Sequence, residues 1–165
     1  MAFKINEHMN SYDGQQQQKQ KTAQDAHKEQ MALEKVQKNE LAGEFQEIKK
    51  ILKEQTKDLP QNYDALILDD ISLRTVLVFS IVKAMRYDSA EAFKKLNAWQ
   101  QVEKISKEVS HIRFLPGSEH GKIKAEVYID TKKPSYTKEV SFSENYEDFI
   151  GDVCGYYLKE IFPVQ

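Results

Sequence analysis

The stretch YEDFIGDVCGYYLKEIF, residues 146–162, decides how the second half of this chain folds. Nine apolar side chains of this stretch recur at alternating intervals of three and one residues, which is the spacing of one face of an amphipathic helix. Burying them is worth roughly 1.5–3 kcal/mol each, so the helix needs an apolar surface to cover. With Ser143 as its N-cap, the sequence predicts a C-terminal helix over 143–162 that packs on a sheet.

Three strand candidates precede this helix and supply such a surface. Residues 122–130 alternate strictly between apolar and polar side chains, and residues 136–143 alternate in the same way after a turn. Residues 111–115 end at the turn pair Pro116-Gly117. The pattern predicts a three-stranded antiparallel meander with one buried face and one face in water.

A buried helix is predicted ahead of the strands, over residues 70–86. Asp69 and Asp70 are suitable caps, and apolar residues occupy most of the circumference of the helix. Because many of these residues are β-branched, a strand over 75–82 is the competing interpretation.

A further helix is predicted from about Ser89 to Val109. Asp88 and Glu91 have the spacing of a capping box at its start. Trp99 lies on the apolar stripe of this helix, where packing in the core is the expected role of an indole.

The first third of the chain is polar. Residues 1–21 contain a glutamine tract and little to bury, so we expect a disordered tail. Residues 22–58 lack proline and consist of good helix formers, which predicts an extended helix that stops before Pro60.

One short stripe on this extended helix is apolar. Leu41, Phe45, Ile48 and Leu52 are spaced 4, 3 and 4 residues apart, like the core positions of a short coiled coil, but the pattern fails upstream. Three interpretations stay open: the stripe packs on the chain's own core, pairs with a second copy, or binds another protein.

The fold class predicted from these patterns is α+β. A long polar N-terminal helix is followed by a helical pair and a three-stranded antiparallel meander packed on the C-terminal amphipathic helix. The predicted divisions are a disordered tail (1–21), an extended helix with a possible short coiled coil (22–58), and a small α+β domain (59–165).

Charge and apolar content exclude several classes of protein. The net charge is -2, and acidic and basic residues are balanced in both halves of the chain, so strong electrostatic binding to nucleic acid is not expected. The longest apolar run, residues 76–82, is far below the ~20 residues of a membrane span. Without a secretory leader pattern after Met1, we expect a cytoplasmic protein.

The sequence shows few features of an enzyme. The sequence has no phosphate-binding loop, nucleophile elbow or zinc-protease motif, and its four histidines are isolated. The single cysteine, Cys154, lies among apolar neighbours at helical spacing, as expected of a buried residue. We therefore expect no enzyme activity, no catalytic residue, no cofactor and no metal site.

The sequence favours a non-enzymatic protein–protein interaction or assembly module. Its partner is another protein or a second copy of the chain, and the candidate binding residues are Leu41, Phe45, Ile48 and Leu52. The alternative is a nucleic-acid-associated accessory protein that uses a lysine-bearing sheet face. The candidate residues for that alternative are Lys122, Lys124, Lys132, Lys133 and Lys138.

Overall fold

The computed structural model describes residues 4–70 and 75–164, which form four helices and a five-stranded antiparallel sheet. The helices are α1 (Ile5–Thr56), α2 (Tyr87–Lys94), α3 (Ala98–Glu108) and α4 (Tyr146–Ile161). The strands are β1 (Tyr63–Asp69), β2 (Leu77–Lys83), β3 (His111–Pro116), β4 (Lys122–Tyr128) and β5 (Tyr136–Ser141), and they neighbour one another in chain order. The mixture of helix and sheet is confirmed, but the sheet has five strands instead of three. Within the described ranges, no helix combines the length and apolar character that a membrane crossing requires.

The chain divides into two structural units, residues 1–39 and residues 40–165. The sequence prediction begins the folded domain at residue 59. The second unit begins earlier because Leu41, Phe45, Ile48 and Leu52 of α1 belong to the same apolar cluster as the sheet and α4.

One face of the sheet carries the larger core. Side chains of α4 and of the C-terminal part of α1 cover it, and the aromatic rings interlock: Phe114 and Phe149 meet edge to face at 6.3 Å between centroids. The N-cap of α4 is Asn145, whose side-chain oxygen accepts a hydrogen bond from the Asp148 N–H at 3.2 Å. Ser143, the predicted cap, instead lies in the preceding turn with a φ of 58°.

The opposite face of the sheet is covered by α2 and α3. This cover explains why the sequence of β2 has the apolar pattern of a buried helix. Val78 of β2 packs with Phe93 and Val102 on this face, while Leu77 and Phe79 pack in the larger core. A strand buried on both faces has no polar alternation, and its run of apolar residues resembles a buried helix. The helix predicted over 70–86 is therefore wrong, and the competing strand is correct; residues 71–74 lie outside the described residues.

The helix predicted from Ser89 to Val109 is two helices. Asn97 interrupts it and forms a capping box with Gln100: the Gln100 N–H donates to the Asn97 side-chain oxygen at 2.8 Å, and the Asn97 N–H donates to the Gln100 side chain at 3.0 Å. The predicted box at Asp88 is wrong, because α2 is already helical at Tyr87 and its N-cap, Arg86, makes no side-chain capping bond. Trp99 is partly buried against the smaller core, as predicted.

Two further elements differ from the sequence prediction. Strand β1 was missed because its side chains alternate between two apolar clusters, Ala65 and Ile67 on one side and Leu66 and Leu68 on the other. Helix α1 begins at Ile5, within the segment 1–21 for which the sequence predicts disorder. The content of this segment is compatible with a helix, because glutamine and lysine are good helix formers and no proline interrupts them.

Candidate functional site

The four side chains that the sequence offers as a partner-binding face are buried in the chain's own core. Leu41 is 9% exposed and Leu52 is 1% exposed, and Phe45 and Ile48 are fully buried. The prediction that these four side chains form a partner-binding face is corrected by this packing. Side chains that the sheet and α4 cover offer no surface to another molecule. Of the three interpretations left open by the sequence, packing on the chain's own core agrees with the structure.

The exposed apolar side chains of α1 lie nearer its N-terminus. Ile5, Met9 and Tyr12 are 65%, 48% and 50% exposed, and they are spaced 4 and 3 residues apart. A second group of exposed apolar side chains consists of Met31, Leu33 and Val36. Among the described residues 4–39, none is buried. The spacing of the first group is visible in the sequence, but the prediction of disorder for residues 1–21 provides no helix on which that spacing would form a face.

The five candidate lysines do not form one surface. Lys138 pairs in register with Ala125, whose side chain is in the larger core, so Lys138 lies on the face that α4 covers. It forms an ion pair with Asp152 of α4. Lys124 pairs in register with Glu139 and lies on the other face. The prediction of a single lysine-bearing face is therefore wrong, because consecutive positions of a strand point to opposite sides of the sheet.

Carboxylates accompany three of these five lysines. Lys122 lies 3.1 Å from Glu119, and Lys124 lies 3.6 Å from Glu126. The hydrogen bond with Glu119 raises the pKa of Lys122, and that with Asp152 raises the pKa of Lys138. The remaining two, Lys132 and Lys133, are exposed in the turn between β4 and β5. The result is a surface of alternating charge without a continuous basic patch.

A buried histidine lies on the same side of the sheet as α3. His111 is 1% exposed, and its ring stacks on that of Tyr128 with centroids 4.7 Å apart. Its Nδ1 donates to the Val109 carbonyl at 2.9 Å, which leaves Nε2 as a buried acceptor without a partner among the described residues. Burial lowers the pKa of His111, against the raising effect of the Val109 bond, and the charge of Arg113 lowers it further. A neutral, enclosed imidazole is suited to packing and not to proton transfer with solvent.

A cavity of about 270 Å³ lies between α1, β2 and α4, wholly within the second structural unit. Its walls are apolar and include Leu52, Phe79, Ile81, Ile150, Cys154 and Leu158. Three polar residues, Gln55, Thr56 and Glu147, also line it. Burial raises the pKa of the Cys154 thiol to about 12, so the thiol stays protonated. The sequence could not reveal this cavity, because its walls come from segments far apart in the chain.

None of the features described above forms a metal-binding site among the described residues. Within residues 4–70 and 75–164, no group of three or more His, Cys, Asp or Glu side chains is arranged to hold a metal ion. The candidate sites that remain are the exposed apolar residues of α1 and the cavity beside Cys154.

Comparison with family models, curated protein sequences and solved structures finds no match to this chain.

Proposed function

We propose that the chain is a non-enzymatic assembly module that self-associates through residues 4–39 of helix α1. The observation that carries the proposal is the burial pattern of this segment: it exposes six large apolar side chains and buries none of those described. The non-enzymatic part rests on the sequence, which carries no recognisable catalytic motif.

The need for a partner follows from the energetics of helices. Most helical stability in proteins comes from packing an apolar face against another element, and long helices without such packing are marginal in water. An exposed ion pair within the segment does not replace this packing. Lys4 and Glu7, 3.5 Å apart and highly exposed, are an example of a pair that contributes little. An association that covers the apolar side chains would supply the missing stabilisation.

The position of the apolar side chains supports a helix as the covering element. Ile5, Met9 and Tyr12 have the 4 and 3 spacing with which one helix meets another in a coiled coil. The next positions in the same register, Gln16 and Lys19, are polar. We therefore expect a short, weak contact whose population depends on protein concentration.

The charge balance supports a second copy of the chain as the partner. Residues 4–39 carry six lysines and five acidic residues, so two copies do not repel each other through net charge. Binding to a strongly anionic partner such as nucleic acid would be favoured by an excess of positive charge. This segment lacks such an excess, because its lysines and acidic residues are nearly equal in number. The five candidate lysines between residues 122 and 138 give that alternative little support, because three of them lie close to carboxylates.

The test is the mass of the full-length protein in solution, measured by sedimentation velocity over a wide range of concentration. We expect the wild type to associate as concentration rises, and the variant Met9→Lys/Tyr12→Lys to stay monomeric. The control Ser11→Lys/Gln18→Lys adds the same charge to positions outside the apolar spacing and should associate like the wild type. A monomeric wild type at every concentration would refute the proposal, as would equal loss of association in both double variants.

A further inference from the structure

We propose that the cavity between α1, β2 and α4 is a binding site for a small, mostly apolar molecule that carries an amine at one end. All residues that line the cavity lie between Ile51 and Leu158. The proposed binding site therefore does not depend on the association proposed for residues 4–39. Pockets for small molecules commonly combine apolar walls with a few polar groups that fix the orientation of the ligand. This cavity has both.

The volume limits the ligand. An apolar cavity of about 150 Å³ in another protein accommodates benzene, so a cavity of about 270 Å³ has room for roughly ten heavy atoms. A flexible alkyl chain of moderate length or a small aromatic ring with a short side chain fits this limit. Larger ligands would have to leave part of their surface in water.

The walls determine the character of the ligand body. Phe79 and Ile81 of β2 face Ile150 and Cys154 of α4 across the cavity, and the side chain of Leu52 belongs to the core itself. The Cys154 thiol is protonated and behaves as a weakly polar, space-filling group. None of these side chains compensates a buried charge, so the part of the ligand that enters between them must be apolar.

The polar lining determines the character of the ligand head. Glu147 is exposed, and within the described residues no ion pair engages its carboxylate. The Thr56 hydroxyl already donates to the Leu52 carbonyl at 2.8 Å, which leaves its oxygen available as an acceptor. All three polar side chains therefore offer an acceptor oxygen, and that of Glu147 carries negative charge. An ammonium group matches them, whereas a carboxylate would be repelled by Glu147.

Leu158 lies where the cavity opens. Its side chain is 40% exposed, although it lines the cavity, and it therefore lies between the apolar interior and water. A larger side chain at this position is tolerated by the fold more readily than one in the core, because it has room to extend into solvent. This makes residue 158 the place to obstruct the cavity without disturbing the packing of Phe79 or Ile150.

The experiment is an NMR titration of the full-length protein with n-octylamine, n-octanol and octanoate, each kept below its micelle concentration. We expect all detectable binding to map to residues around the cavity, with the amine tightest and octanoate weakest. Glu147→Gln should weaken amine binding about two- to fivefold, as expected for a partly exposed ion pair, and leave octanol binding unchanged. The control Glu160→Gln removes a carboxylate of α4 that does not line the cavity and should leave amine binding unchanged.

Two further measurements separate loss of the site from loss of the fold. Leu158→Trp should abolish binding of the amine and the alcohol while the rest of the spectrum stays that of the folded protein. In the wild type, n-octylamine should slow alkylation of Cys154, the chain's single thiol, by N-ethylmaleimide. The proposal is overturned if the amine does not bind, if octanoate binds as tightly as the amine, or if Glu147→Gln and Glu160→Gln have equal effects.

Discussion

Residues 5–39 and residues 40–56 belong to the same helix, α1, and are built from similar residue types, yet their side chains are in different environments. The second stretch buries Leu41, Phe45, Ile48 and Leu52 against the sheet and α4, whereas the described residues of the first bury nothing. Helix propensity cannot distinguish the two stretches, because both consist largely of good helix formers.

The difference teaches how to interpret a coiled-coil spacing. Apolar residues spaced 4, 3 and 4 positions apart show only that one side of a helix is apolar. A sheet can cover such a side as well as a second helix can. In the second stretch the chain provides that cover itself. In the first stretch the interval of 4 and 3 at Ile5, Met9 and Tyr12 remains exposed, and we propose that a second copy covers it.

The largest expected contrast comes from the same substitution in the two stretches. Leu52→Ala should lower the free energy of unfolding by about 2–5 kcal/mol, because it removes a fully enclosed side chain and leaves a cavity. Leu33→Ala, at a position 57% exposed, should change it by less than about 0.5 kcal/mol. Urea unfolding of dilute samples measures both. Equal effects would mean that the comparison between the stretches is wrong.

A smaller contrast concerns two glutamates. Glu44 accepts a hydrogen bond from the Tyr146 hydroxyl at 2.6 Å and another from the Ser143 hydroxyl at 3.2 Å, and so joins α1 to the start of α4. Burial, together with the bond to Glu44, raises the pKa of Tyr146 and keeps its hydroxyl a donor. Glu44→Gln should cost about 1–2 kcal/mol in unfolding free energy, because the bond loses its charge.

The matched control for this contrast is Glu34→Gln. Glu34 accepts only a long bond from the exposed Gln30 side chain, 3.4 Å away, among the contacts that the structure describes for it. We expect no measurable change in the same unfolding experiment. If Glu34→Gln were as costly as Glu44→Gln, the stretch 5–39 would have tertiary contacts that its exposure does not suggest.

The smallest contrast uses the two glycines of the helix. A methyl group added at Gly43 or at Gly14 meets no atom within 4 Å. Gly43→Ala should raise the free energy of unfolding by about 0.5–1 kcal/mol through helix propensity alone. Gly14→Ala should increase helix content by circular dichroism but leave the unfolding midpoint unchanged. A higher midpoint in both variants would show that the two stretches unfold together.

Most parts of the fold that the sequence predicted have one face in water. Strands β4 and β5 and helix α4 were located within a few residues, because a face in water and a face in the core make the period of the element visible. Strand β3, whose His111 side chain is buried on the α3 side, was located from the turn pair Pro116-Gly117 at its end. The polar positions of β4 alternate with Ile123, Ala125 and Val127, all fully buried. Patterns of this kind require no knowledge of the rest of the chain.

The parts that were not predicted depend on tertiary structure. Strands β1 and β2 are apolar on both sides because α2 and α3 cover the second face of the sheet. No local sequence pattern in the strands indicates that helices cover this face. The cavity beside Cys154 likewise depends on the spacing of α1 and α4 over the sheet. For the candidate binding face, the sequence correctly found the apolar stripe at Leu41 to Leu52 but could not tell which surface covers it.

Hydrogen exchange along α1 in the dilute full-length protein is the most direct test of the difference between the two stretches. We predict that the amides of residues 41–52 exchange only through global unfolding, whereas those of 5–39 exchange much faster and slow down as the protein concentration is raised. Protection of residues 5–39 as strong as that of 41–52 in a dilute, monomeric sample would contradict the central claim.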